Sequence, residues 1–413
     1  MNSDYLRFWP LDPQVTYLNH GAFGSCPWPV LHDQSEWRAR MERHPIRFMD
    51  TELEGHLDRA RAALADLVHA NPDDLAFVAN ATTGVNTILR SLDLESGDEI
   101  LTTDHEYNAC VNAVRYAAGR AHAKVVIASV PLPIARPGDV TEAILERTTE
   151  RTRLAVISHV TSPTGIVFPI AEIVARLAER GIDTLVDGAH APGMVDLDVA
   201  ALDAAYYTGN AHKWLCSPKG SAFLHVRRDR QDRIVPLVVS HGANSPRRDR
   251  SRYRLEADWG GTADPTAYLA IPAALEFMSG LLPGGWSELR ARNRELAQGA
   301  RKRLLDLLAT PPLAPEPMLG SLAAAELPPS TRPHAAVPAP DAAQDETYPL
   351  DPLHDALFDE DRIEVPVYPW PHTAAYQASR RRLVRVSAQI YNDAGDYERL
   401  CAALAQRLDQ PAS

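Results

Sequence analysis

Two kinds of apolar pattern alternate along the first 260 positions, and the alternation sets the fold class. Short apolar runs occupy 75–79, 99–103, 124–130, 153–160, 182–187, 204–208 and 221–226, lengths that suit strands buried on both faces. Stretches with helical spacing lie between many of them, clearest at 84–91, 107–118, 139–150 and 170–180. A helix within 51–70 precedes the series: Leu57, Ala60, Leu64, Leu67 and Val68 share a face, and Asn71-Pro72 stops it. Such alternation predicts an α/β fold with a large, mostly parallel sheet domain over 21–260.

The pattern changes after Gly260-Gly261. Two helical stretches follow, 267–279 and 286–308, interrupted by Pro283-Gly284-Gly285. A short run at 319–325 leads into a Pro/Ala-rich segment, 328–349, that reads as an extended connection. Strand-like runs at 363–367 and 383–388 and a helix at 394–408 complete a smaller α+β domain over 261–413. Residues 1–20 are expected to pack against it or at the cleft. No Gly-x-Gly-x-x-Gly follows a strand and there is no Walker loop, so nicotinamide and nucleoside triphosphate sites lack support.

Composition narrows the function. A net charge of -12 over 413 residues argues against a general nucleic-acid binder. The nearest thing to a basic patch, Arg247 to Arg254, reads as a solvated loop. Cys26, Cys110, Cys216 and Cys401 are scattered without a CxxC pair, which suggests reduced thiols and a cytoplasmic location. No run approaches membrane-spanning length and no leader pattern opens the chain. A soluble protein without a membrane partner is the expectation.

Candidate chemistry starts from a scarcity. Only four lysines occur, and Lys213 sits in Tyr207-Thr-Gly-Asn-Ala-His-Lys-Trp214. An amine in such a setting can be held neutral and used as a nucleophile toward an aldehyde. Asn80-Ala-Thr-Thr-Gly84, between a strand and a helix, offers backbone N–H groups and the hydroxyls of Thr82 and Thr83 to an anion; alone it is equally a capped helix start. Asp187, in Thr184-Leu-Val-Asp-Gly-Ala-His190, ends an apolar strand, where open α/β sheets place ligands. A carboxylate there suits a protonated ring nitrogen, and His190 would orient it or meet substrate. Thr208 and His212 are close enough in sequence to Lys213 to serve the same cofactor. Arg385, between Val384 and Val386, points away from them on a strand, and its rigid fork suits a substrate carboxylate.

Together these residues resemble the fold-type I pyridoxal-phosphate enzymes, specifically the class V aminotransferase branch that includes cysteine desulfurases and isopenicillin N epimerase. The resemblance covers nearly the whole chain, and Tyr17-Leu-Asn-His-Gly21, Asp104-His-Glu-Tyr-Asn108 and Val386-Ser-Ala-Gln-Ile-Tyr-Asn392 look closest to the epimerase-like group. It implies pyridoxal 5'-phosphate carried on Lys213, which also moves the α-proton. Asp187 would pair with the pyridine nitrogen. Thr83, Thr208, His212 and amides near Thr82 would hold the phosphate, and Tyr107 would stack on the ring, with His105 as competitor. Ser162 stands where many relatives place an asparagine toward the 3-hydroxyl, with Thr161 as its helper. Asn19, His20 and Gly21 would line the substrate side, and Arg385 would bind the α-carboxylate. Gly261 and Thr262 would reach the phosphate of a neighbouring subunit in a homodimer.

The resemblance fixes the start of the reaction better than its end. Epimerisation of an amino acid or its conjugate is the favoured expectation, with His20 and Tyr107 as candidates for the second acid. A C–S β-lyase is the alternative, and aminotransfer comes third. A classical cysteine desulfurase is disfavoured, because Ile363-Glu-Val-Pro-Val-Tyr-Pro-Trp-Pro371 lacks that group's loop cysteine. Retention of Lys213, Asp187 and Arg385 argues against a non-catalytic cofactor-binding protein. Tyr368, Trp370 and His372 are candidates for the edge of the side-chain pocket.

Overall fold

The computed structural model describes residues 4–328, 351–370 and 381–408. The connection expected at 328–349, apart from Pro328, lies outside them, as does His372. After β1 (Thr16–Tyr17) come the seven strands of the central sheet: β2 (Leu75–Val78), β3 (Glu99–Thr103), β4 (Lys124–Ala128), β5 (Thr152–Ser158), β6 (Asp183–Asp187), β7 (Tyr206–Asn210) and β8 (Ala222–Val226). Their order is β2-β8-β7-β6-β5-β3-β4. Only β8 runs against its neighbours β2 and β7; the other pairs are parallel. The short connection at 211–221 explains the exception, since it holds no crossover helix to carry the chain back for a parallel strand.

Strand β5 shows why the sheet is covered twice. Ala155 and Ile157 join one apolar cluster, with Ile173 and Leu177 of the helix Ile170–Ala178. Leu154 and Val156 join another, with Val114 and Ala117 of the helix Asn108–Ala121. Period-two side chains are thus apolar on both faces, each face lying under helices. The carboxyl ends of β5, β6 and β7 consequently meet along one edge, and the candidate site is built there.

A second sheet carries the other side of the cleft. It consists of β9 (Leu322–Leu327), β11 (Val367–Trp370) and β12 (Arg381–Ser387), antiparallel in the order β11-β12-β9. Val384 and Val386 pack into its core with Leu304 and Leu400, from the helices Gly285–Leu308 and Ala394–Leu408. The short β10 (Ile363–Glu364) pairs in parallel with β1, which ties the first residues to this unit.

Two features depart from the sequence reading. The helix Trp28–Arg43 was not anticipated, because it buries only Val30 and Gln34 and shows no apolar stripe. The Arg247–Arg254 stretch is not simply a solvated loop. Arg254 is buried and pairs with Asp58 at 2.7 Å and with Asp73 and Asp258 at 3.0 Å. Arg250 joins the same cluster through Asp58 at 2.6 Å.

Candidate active site

A cavity of about 330 Å³ opens at the carboxyl ends of the central strands, with Asp187, His190, Asn210, His212 and Lys213 on its walls. Asp187 is the last residue of β6 and is buried. Its Oδ1 accepts from the Ala189 N–H at 2.9 Å, and its Oδ2 from the Cys110 thiol at 3.2 Å.

Lys213 Nζ lies 3.2 Å from His190 Nε2, while the Trp214 indole donates to His190 Nδ1 at 3.4 Å. An indole N–H can only donate, so Nδ1 accepts and the imidazole proton sits on Nε2. That proton points at the lysine, an arrangement that the free amine accepts and the ammonium does not, so His190 favours deprotonation of Lys213. Burial pushes the Lys213 ammonium down to about 8, against the opposing pull of Asp187. Burial also pushes the His190 imidazolium well below its ordinary range, so its neutral form dominates.

The helix Ala81–Ser91 aims its N-terminus at the cavity. Asn80 Oδ1 caps the Thr83 N–H at 2.8 Å, and Asn210 Oδ1 accepts from the Ala81 N–H at 2.8 Å. Thr82 keeps its N–H for a ligand among the described residues and borders the cavity. Close approach of helix and sheet requires Gly84, where a Cβ would lie 2.3 Å from Thr208 Oγ1. His212 Nδ1 donates to the Ser221 carbonyl at 3.1 Å, leaving Nε2 available, and burial pushes its imidazolium down to about 4. A phosphate beside it would raise that value and favour the charged ring.

Arg385 and Asn19 do not line this cavity; Arg385 adjoins it through Ser162, which does. Arg385 is 1% exposed and has no carboxylate partner among the described residues. Its Nη1 donates to the Ser162 carbonyl and lies 3.5 Å from Ser162 Oγ; its Nη2 donates to Asn19 Oδ1 at 3.3 Å. Asn19 is held in turn by Glu364, at 3.1 Å. Tyr368 lies beneath the guanidinium, 5.1 Å from the ring centroid. Buried arginines are normally paired, and an anionic ligand would supply what is missing here.

The structure brings Thr82, Tyr107, Ser162, Asp187, His190, His212 and Lys213 to one cavity. Several other expectations need correction. Thr208 is fully buried behind Gly84 and donates its hydroxyl to the Phe223 carbonyl at 2.8 Å, so it has nothing to offer a phosphate. Thr83 directs its hydroxyl back to Asn80 at 3.0 Å. Asn210, two residues on from Thr208, reaches the cavity instead. Its place as the last residue of a strand was the overlooked signal.

His20 presents no free nitrogen to substrate. Its Nδ1 bonds the Tyr391 hydroxyl at 2.8 Å and its Nε2 the Lys213 carbonyl at 3.0 Å. Burial pushes it down to about 4, so it holds the Lys213 backbone as a neutral ring. Gly21 packs tightly against Leu322 and Ser387, leaving Ala22 and Phe23 to face the cavity.

His105 is buried against Trp370, 4.5 Å between centroids, and bonds Thr164, so of the two ring-stacking candidates only Tyr107 borders the site. Thr161 is likewise occupied, by Thr164 at 2.6 Å. Gly261 and Thr262 are exposed and border a separate cavity of about 310 Å³, which contains Thr83 but neither Lys213 nor Asp187. Lys219, not singled out from sequence, borders the Lys213 cavity and donates to the Gly24 carbonyl at 3.3 Å.

These groups suit an aldehyde-bearing, phosphorylated heteroaromatic ring: a neutral amine, a carboxylate at the floor, and a helix N-terminus beside a histidine. Comparison with known proteins agrees on the kinship. The chain is 37% identical to isopenicillin N epimerase of Amycolatopsis lactamdurans, over 96% of each chain. It is 29% identical to a probable chloroplastic L-cysteine desulfhydrase of Arabidopsis thaliana, over 95% of this chain and 83% of that one. A structure of a C-DES mutant with glycine covalently linked to the PLP cofactor shares the fold, with a TM-score of 0.77 at 23% identity over 97% of this chain and 98% of that one. The model for class-V aminotransferases matches residues 25–317, and the chain belongs to that family.

Proposed function

We propose that this protein is a pyridoxal 5'-phosphate enzyme acting at the α-carbon of an amino acid or amino-acid conjugate, with epimerisation as its outcome. The observation that carries the reading is a buried Lys213, its ammonium pushed down to about 8, near a buried Arg385 that lacks a carboxylate partner among the described residues. Similarity to the Amycolatopsis epimerase, 37% identical over nearly the full length, supports the outcome.

When bound, the cofactor supplies a conjugated electron sink for charge left at the α-carbon. Asp187 would hold a protonated ring nitrogen, while Thr82, Asn210 and His212 would hold the phosphate. Ser162 would meet the ring hydroxyl, and Tyr107 would cover the ring face. Arg385, oriented by Asn19, would fix the substrate α-carboxylate. Lys213 Nζ would remove the α-proton, its lone pair maintained by the His190 N–H.

Epimerisation needs a second proton donor. His20, with both ring nitrogens bonded, is a poor candidate for that role, and Tyr107, half-exposed at the cavity with its phenol pushed upward by partial desolvation, is the better one. A C–S β-lyase needs no such donor, and the desulfhydrase relative supports it as the second reading. The active unit in this proposal is a homodimer, with Gly261 and Thr262 offered to the partner's phosphate site.

Borohydride reduction of the loaded protein followed by peptide mass mapping tests the core of the proposal. The cofactor should be found on Lys213, and its attachment elsewhere would overturn the assignment. Tyr107→Phe separates the outcomes: it should abolish racemised product while sparing α-proton exchange, whereas unchanged inversion would remove Tyr107 from the mechanism.

A further inference from the structure

Beneath Asp187 lies a second carboxyl that no step above uses. Glu106 is 2% exposed, between β3 and the helix Asn108–Ala121. Its Oε1 accepts from Ser158 Oγ at 2.7 Å and from the Tyr107 N–H at 2.9 Å. Its Oε2 is buried with no hydrogen-bond partner among the described residues. Neither lysine nor arginine bonds it among the described residues. The titratable groups facing it are Asp187, from β6, and Cys110, from the following helix; one ligand atom from each of the three residues lies within 4.8 Å of the others.

Two carboxylates so close, with no cation between them, cannot both stay ionised in a site shielded from water. The hydrogen bonds decide which one keeps the charge. Asp187 receives donors on both oxygens, whereas Glu106 receives them only on Oε1. An acid proton on Oε2 is compatible with this arrangement, because Oε1 remains free to accept. Burial and the Asp187 charge push Glu106 up to about 8. A metal ion is a poor occupant of the cluster, since burial and both carboxyls drive the Cys110 thiol well above its usual range and away from the thiolate a metal needs.

We propose that Glu106 is the proton-bearing partner of Asp187: the two buried carboxyls share one negative charge, and seating a positively charged ring on Asp187 draws the proton off Glu106. The O–H bond at Oε2 breaks. Its proton passes to the ring nitrogen if the ring arrives neutral, or to water if the ring arrives already protonated. Either way the loaded site ends with two carboxylates and one ring cation, which strengthens the hold on the ring charge. Glu106 is on this account a positioning residue, acting through Asp187. The inference rests on the reading that a pyridine ring sits on Asp187.

Titration calorimetry of pyridoxal 5'-phosphate into the cofactor-free full chain at neutral pH, in two buffers of different ionisation enthalpy, counts the protons exchanged. The wild type should release about one proton more than Glu106→Gln, and equal counts with tight binding in both would overturn the proposal while leaving the cofactor reading intact. Absence of binding to the wild type would overturn both. Should Glu106→Gln fail to fold, Ser158→Ala serves instead. Losing the donor to Oε1 should move the proton-release midpoint to higher pH, and an unmoved midpoint would contradict the account. Infrared spectra give an independent check: the cofactor-free wild type should show a protonated-carboxyl band below pH 7 that Glu106→Gln lacks.

Discussion

Arg254 and Arg385 are both cations withdrawn from water, at 3% and 1% exposure, yet their surroundings differ in kind. Arg254 sits among Asp58, Asp73 and Asp258, with Arg61 and Arg250 sharing the same carboxylates. Among the described residues Arg385 meets neutral oxygens, from Ser162 and Asn19, and the face of Tyr368. The first arrangement closes its charges internally and binds the helix Arg252–Ala257 to the helix Leu53–Val68. The second leaves a positive charge that folding does not neutralise. A buried charge answered inside the fold is architecture, and one left unanswered is an appetite for a ligand.

Substitution at both positions should separate the two roles. Arg254→Met removes a buried arginine that bonds Asp58, Asp73 and Asp258 and should cost about 2–3 kcal/mol of folding stability, read by denaturant unfolding. Arg385→Leu should change stability by less than about 1 kcal/mol, because it removes an uncompensated buried charge. The same variant should lower kcat/KM for an amino-acid substrate by about 10²-fold, through loss of the carboxylate contact. A large loss of stability with unaltered catalysis would reverse the comparison.

The pH dependence of Lys213 sharpens it further. Trapping of a small aldehyde by the cofactor-free protein should accelerate up to about pH 8 and then level, since burial holds the ammonium at about 8 rather than 10.5. Between those values the unfolded chain binds more protons than the folded one, so this group makes stability rise with pH across that window. A rate still climbing well above pH 9 would mean that the amine is solvated. The smallest effect belongs to Asn19→Ala. Removing the oxygen that orients Arg385 should raise KM roughly tenfold, the cost of about one hydrogen bond to a charge, with little change in kcat.

The legible parts of the site are those fixed by short-range pattern. Asp187 ends an apolar strand and Lys213 follows the next one, so the strand arrangement alone brings them to one edge. On β7 the residue that lines the cavity lies two positions beyond the expected Thr208. Thr208 and Asn210 share a face of β7, and only packing shows that Gly84 covers the first while the second reaches the cavity. His20 was misread for a different reason. The partners of its ring lie 371 and 193 positions away, in Tyr391 and the Lys213 carbonyl, and no local signal reports such contacts. The buried half of the Arg247–Arg254 stretch was hidden likewise, because its carboxylates come from distant helices.

The central claim is that Lys213 moves a proton at the α-carbon of an amino acid held by Arg385. Incubation of the pyridoxal-phosphate-loaded protein with amino acids and their sulfur conjugates in deuterated water, followed by NMR and chiral analysis, tests it most directly. The account predicts deuterium at the α-carbon of recovered substrate together with the opposite configuration, both lost in Lys213→Ala. Pyruvate and a released thiol in place of inverted substrate would transfer the protein to the β-lyases. No α-exchange with any substrate, or exchange that survives in Lys213→Ala, would contradict the account.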